Sequence, residues 1–160
     1  MEARGLAQHT AAMQTTTASE PLRVFLVEDA PAIRDRLLAL LDAIPGARVV
    51  GHAGRADDAI ARIAECLPDA VVLDLNLAHG SGIDVLRALR HTAPFTAIYV
   101  LTNFATAPYR RLCTTLGARG FYDKSTEFEA VRDAVAAQAL HRSEPPGRTP
   151  CKPSSPSTRP

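Results

Sequence analysis

The stretch VVLDLNL, residues 71 to 77, passes from a β-branched, wholly apolar run into a carboxylate at Asp74. A short apolar run of this kind predicts a strand buried on both faces of a parallel sheet, with Asp74 at its carboxyl end. Burying a carboxylate there is costly, so it persists where something uses it or where it caps a turn. The residues at the ends of the other apolar runs bear on which of these applies.

Upstream, LRVFLV at 22 to 27 is a second apolar run of strand length and ends abruptly at Glu28 and Asp29. Pro31 follows where a first helical turn tolerates proline. Ile33, Leu37, Leu40, Leu41 and Ile44 then recur at helical spacing, and Pro45-Gly46 stops the helix. The unit repeats. Residues 47 to 52 read as a short strand, and 56 to 67 as a helix with Ile60, Ile63, Ala64 and Leu67 on its inward face, ended by Pro68.

Downstream of Asp74, a loop with Gly80 and Gly82 leads to a helix carrying Ile83, Leu86 and Leu89 inward. TAIYVL at 96 to 101 predicts a fourth strand, closed by Thr102 and Asn103. A helix over about 106 to 116 carries Tyr109, Leu112, Cys113 and Leu116, with Tyr109, Arg110 and Arg111 on a basic face, and Gly117 leads to a fifth strand, GFYD, ending at Lys124. The last helix, about 126 to 141, buries Phe128, Val131 and Val135. Parallel strands need crossover connections, and alternating helices supply them. The expected fold is α/β, a doubly wound five-stranded parallel sheet.

A chain of 160 residues with 46% hydrophobic content suits one domain, here residues 21 to 142. Residues 1 to 20 are small, polar and aperiodic; residues 143 to 160 are rich in Pro and Ser and hold half of the twelve prolines. Both ends are predicted to be disordered. The net charge of +1 gives no field that would draw nucleic acid or a membrane surface. Cys66, Cys113 and Cys151 show no metal-type or disulfide spacing. With no apolar run of signal or membrane-spanning length, a cytoplasmic protein is expected.

In such a sheet, ligands bind beyond the carboxyl ends of the strands where the strand order reverses. This chain puts Glu28, Asp29, Asp74, Thr102 and Lys124 there. Three acids in one cleft repel one another, and oxygen-only ligands favour a hard divalent ion such as Mg2+. Thr102 and Lys124 would face an incoming anion, so phosphoryl transfer to a carboxylate fits the inventory.

Over about residues 22 to 141 the sequence resembles the receiver domain of two-component response regulators. The matching motifs are VEDA at 27 to 30, LDLNL around Asp74, Gly82, LTN at Thr102, and GARGFYDKS at 117 to 125. The resemblance implies the flavodoxin-like strand order 2-1-3-4-5. It also implies that Asp74 accepts a phosphoryl group from a sensor histidine kinase or a histidine phosphotransfer protein. Asp29 and Asp74 would ligate Mg2+, with the backbone carbonyl of Asn76 and with Glu28 directly or through water. Lys124 would pair with a phosphoryl oxygen, and Thr102 would swing its hydroxyl onto another. Phe121 sits at the aromatic switch position, where it would rotate into the space that Thr102 vacates.

Three departures bear on kinetics. Ser125 stands where the family usually has a proline, often after a cis bond, which would cost about 3 kcal/mol without proline. Ala78 replaces a common proline and is expected to loosen the loop after Asp74. Asn103, with Phe104 beside it, is larger than usual and is expected to narrow access for water. The chain is expected to catalyse only its own phosphorylation and dephosphorylation, rather than to be an enzyme acting on another substrate.

Nothing after His141 has the periodicity of a helix-turn-helix, so output is expected through a downstream protein target, without direct nucleic acid binding. A homodimer through the fourth helix, fifth strand and fifth helix is a further expectation. Two alternatives stay open: a receiver fold that binds its partner without phosphorylation, and a truncated DNA-binding response regulator.

Overall fold

The structure is a computed structural model and describes residues 19–143. The expected disorder at either end therefore falls mostly on residues outside those described. Five strands alternate with five helices: β1 (Leu22–Val27), α1 (Pro31–Asp42), β2 (Ala47–Ala53), α2 (Ala56–Cys66), β3 (Ala70–Leu73), α3 (Gly82–Thr92), β4 (Ala97–Thr102), α4 (Ala107–Thr115), β5 (Gly120–Asp123) and α5 (Phe128–Ser143). All neighbouring strands pair in parallel in the order β2-β1-β3-β4-β5. This is the doubly wound, flavodoxin-like strand order expected from the sequence. The order reverses between β1 and β3, so a crevice opens where these two strands end.

The central strands are apolar on both faces because both faces are covered. Val71 and Leu73 of β3 join Phe25, Val27 and Val100 in the layer beneath α2, α3 and α4. Val72 joins Val24, Leu26 and Leu101 beneath α1 and α5. Side chains alternate along a strand, so a run of four apolar residues feeds both layers at once.

One helix face differs from expectation, and another is barely buried. In α2 the buried residues are Ala56, Ala59 and Ile63, whereas Ala64 and Leu67 are exposed and Ile60 is partly so. Leu67 has left the helix for a left-handed conformation at φ 44°, turning the chain toward Pro68. In α4 only Cys113 is buried, while Tyr109 and Leu112 face solvent. Periodicity marks residues that share a stripe, and the stripe beside Cys113 lost to the line of contact with β5.

Candidate functional site

Among the described residues the buried polar side chains are Glu28, Asp74 and Thr102, at 1%, 5% and 0% exposure. All three lie at the carboxyl ends of strands. Asp74 follows β3, Glu28 follows β1, and Thr102 ends β4. A hydrophobic core would not tolerate two buried carboxylates without a counter-charge. Lys124 supplies it. Its Nζ donates to Glu28 Oε2 at 2.6 Å and to Asp74 Oδ2 at 2.7 Å.

Backbone amides take up other carboxylate oxygens. Ala30 N donates to Glu28 Oε1 at 3.1 Å, and Asn76 N to Asp74 Oδ1 at 3.1 Å. Asp29 reaches across to the β3–α3 loop, where Ala78 N donates to its Oδ2 at 2.7 Å. Proline at 78 has no N–H and could not make this bond. Ala78 therefore ties the loop to Asp29, the opposite of the loosening expected from its sequence.

The loop after Asp74 is kept tight at its far end by Gly82. Gly82 N donates to Leu75 O at 3.0 Å, so α3 starts directly against the site. A Cβ at Gly82 would lie 2.2 Å from the Asp74 carbonyl oxygen and 2.6 Å from Leu75 Cα. Only glycine lets α3 begin there.

After Lys124 the chain turns without proline. Ser125 donates from N and Oγ to Asp123 Oδ1, at 2.8 and 2.5 Å, and no peptide bond among the described residues is cis. These bonds, the hydroxyl above all, hold the Asp123 carboxyl below its ordinary range.

The charges in the cleft do not balance. Glu28, Asp29 and Asp74 each offer an oxygen within 4.8 Å of the others, against one ammonium. Burial raises the Glu28 carboxyl, and the Lys124 hydrogen bond only partly offsets this. Burial by itself would lower Lys124, but its bonds and charge interactions with Asp74 and Glu28 raise it overall. Three hard oxygen donors with an excess of negative charge suit a divalent cation such as Mg2+. Asn76, whose carbonyl was expected to complete the ligand set, stands two residues after Asp74 at the exposed rim.

The structure thus gathers Glu28, Asp29, Asp74 and Lys124 into one cluster. Thr102 is tied to Lys124 through the backbone, Lys124 N donating to Thr102 O at 3.1 Å. The Thr102 hydroxyl itself faces its own loop, accepting from Phe104 N at 3.2 Å. Phe121 is buried in the layer beneath α2, α3 and α4, so its ring lies inward while Thr102 is still engaged with Phe104. Phe104 and Tyr109, with ring centroids 6.2 Å apart, line a cleft with Leu75, Asn76 and Ser81.

Sequence reading missed two participants. Ala78 acts through its backbone amide, which side-chain identity does not reveal. Arg110 reaches Phe121 from α4 and was read only as part of a basic helix face.

The family model for the response regulator receiver domain matches residues 24–136. The chain belongs to that family. The receiver is 34% identical over 123 residues to the DNA-binding transcriptional activator DevR/DosR of Mycobacterium tuberculosis (74% of this chain, 57% of that protein). It is 33% identical over 119 residues to the nitrate/nitrite response regulator protein NarP of Escherichia coli (74% of this chain, 55% of that protein). The chain spans little more than half the length of these relatives. Among solved structures, a LuxR-family two-component response regulator from Aurantimonas sp. SI85-9A1 superposes with a TM-score of 0.70 at 29% identity. That match covers 77% of this chain and 88% of the other. Among the described residues of the receiver, no helix is long and apolar enough to cross a membrane.

Proposed function

We propose that this receiver accepts a phosphoryl group on Asp74 from a phosphohistidine of a sensor histidine kinase or histidine phosphotransfer protein. The observation that carries this reading is the contact of Lys124 Nζ with both Asp74 and Glu28, within a buried three-carboxylate cleft. A carboxylate oxygen of Asp74 forms the O–P bond as the P–N bond to histidine breaks, and the electron pair of that bond stays on the imidazole nitrogen. Glu28, Asp29, Asp74 and the Asn76 carbonyl would hold Mg2+, which supplies neutralisation of the charge on the transferring group. Lys124 then passes from the carboxylate to a phosphoryl oxygen. The Thr102 hydroxyl, freed from Phe104 N, donates to another. The chain catalyses only its own phosphorylation and hydrolysis. Its output is a protein contact in the cytoplasm.

A second reading has a specific observation behind it. The relative DevR/DosR is named as DNA-binding, and the match covers only 57% of it. In that reading the phosphorylated domain controls a DNA-binding unit.

The test is incubation of the purified chain with Mg2+ and acetyl phosphate, followed by intact-mass analysis. An adduct of one phosphoryl group that is lost in Asp74→Asn is expected. Absence of the adduct from the wild type, with no binding of Mg2+, would replace this reading with a phosphorylation-independent interaction module.

A further inference from the structure

Arg110 connects Phe121 to the loop that follows Thr102. Its Nη1 donates to the Phe121 carbonyl at 3.0 Å, and its guanidinium carbon lies 4.8 Å from the centroid of the same ring. One planar side chain therefore holds both the backbone and the ring of a residue eleven positions away. The ring has no polar atom of its own, so packing and this cation decide its orientation.

On its other side, Arg110 belongs to an unbroken run of hydrogen bonds. Arg110 N donates to Thr106 O at 3.0 Å, and Thr106 N to Phe104 O at 2.9 Å. Phe104 N donates to the Thr102 hydroxyl at 3.2 Å. The run thus begins at the Thr102 hydroxyl and ends at Phe121. The element in the middle is lightly held: within α4 only Cys113 is buried, and no side chain caps its start. A helix with so few anchors loosens and opens more readily than one packed along its length.

We propose that Arg110 is a positioning residue that transmits the state of the Thr102 hydroxyl to Phe121 through α4. The proposal rests on the reading above, in which Thr102 turns to a phosphoryl group on Asp74. When the hydroxyl leaves Phe104 N, that amide loses its acceptor and the 103–106 loop is released. The first turn of α4 follows, and Arg110 carries its grip on β5 with it. The ring is buried while the Thr102 hydroxyl still accepts from Phe104 N, and Arg110 joins that ring to the helix that follows the 103–106 loop. A rival role for Arg110 is static: β5 is an edge strand with open carbonyls, and Arg110 covers one of them.

Beryllofluoride, a phosphoryl mimic, with Mg2+ separates the two roles on the full chain. Amide hydrogen exchange across residues 107–115 and beryllofluoride affinity are measured for wild type, Arg110→Ala and Arg110→Lys. In the wild type, beryllofluoride should speed exchange in α4. In Arg110→Ala, exchange should be fast with or without the mimic, and affinity should rise about 5-fold or more, because the latch no longer opposes Thr102. Arg110→Lys keeps the charge but not the planar fork and should fall between them. Should Arg110→Ala fail to fold, the lysine variant decides, and unchanged affinity there overturns the coupling. A wild type that responds, with Arg110→Ala responding by the same factor, overturns the coupling alone and leaves the static role. A wild type that binds no beryllofluoride and takes no acetyl-phosphate adduct overturns the receiver reading together with the coupling.

Discussion

Helices α3 and α4 follow the strands that carry Asp74 and Thr102, and both pack on the same layer of the sheet, yet they are attached in opposite ways. α3 buries Gly82, Ile83, Val85, Leu86 and Leu89. Ser81 Oγ caps it by accepting from Ile83 N, Asp84 lies in its first turn, and Arg90 and His91 lie in its last. Every end of α3 is thus matched to the helix dipole. α4 buries Cys113 alone, has no side-chain cap, and carries no acid in its first turn or base in its last. The difference teaches that the helix behind Asp74 is rigidly anchored and the helix behind Thr102 loosely so, which suits the proposed roles of the two residues as acceptor and switch.

The comparison can be broken most severely in the core of α3. Leu86→Ala should cost about 4 kcal/mol in chemical denaturation, since the side chain is fully buried. The matching change Leu112→Ala in α4, at the exposed surface, should stay within about 0.5 kcal/mol. Comparable losses at the two sites would refute the asymmetry. Gly82→Ala should cost about 2 kcal/mol by overpacking. The clash falls on Asp74 and Leu75, so acetyl-phosphate labelling should drop as well. Retention of full labelling would show that the loop yields without moving the carboxylate.

A smaller effect sharpens the capping half of the contrast. Ser81→Ala should cost about 1 kcal/mol through loss of the bond to Ile83 N. Thr106→Ala, at a helix start with no side-chain bond, should be nearly silent. The smallest effect is expected from pH. Burial raises the Cys113 thiol above its ordinary 9.0, so the folded state prefers the neutral thiol. Its contribution is complete below pH 9.0 and is lost as the pH rises through the folded value. Melting temperature should fall in that range, and Cys113→Val should flatten the early part of the decline. Burial raises Tyr99 and Tyr122 in the same direction from 10.0, so the decline continues beyond it. A Cys113→Val profile identical to wild type would remove the thiol from this account.

Much of the architecture was legible in the chain because the strands that build the site are short apolar runs closed by a polar residue. LRVFLV stops at Glu28, VVL at Asp74, and GFYD at Lys124. In a parallel sheet those stops fall on one edge, so the acids and the lysine could be placed together before any contact was known. Helical stripes were less informative. The run Ile60, Ile63, Ala64 and Leu67 has the right spacing, but Ala56 and Ala59 lie against the sheet instead. Small residues there allow α2 to approach more closely than leucine would.

Local sequence therefore determined the order of elements, the two-sided burial of the central strands, and the residues that close them, because those properties depend on neighbours within a few positions. Tertiary structure alone decided which way α4 faces, that Ala78 N meets Asp29 across forty-nine positions, and that Arg110 grips Phe121. Such contacts follow from how separately formed elements pack, and backbone donors and long flexible side chains leave no periodic trace from which to read them.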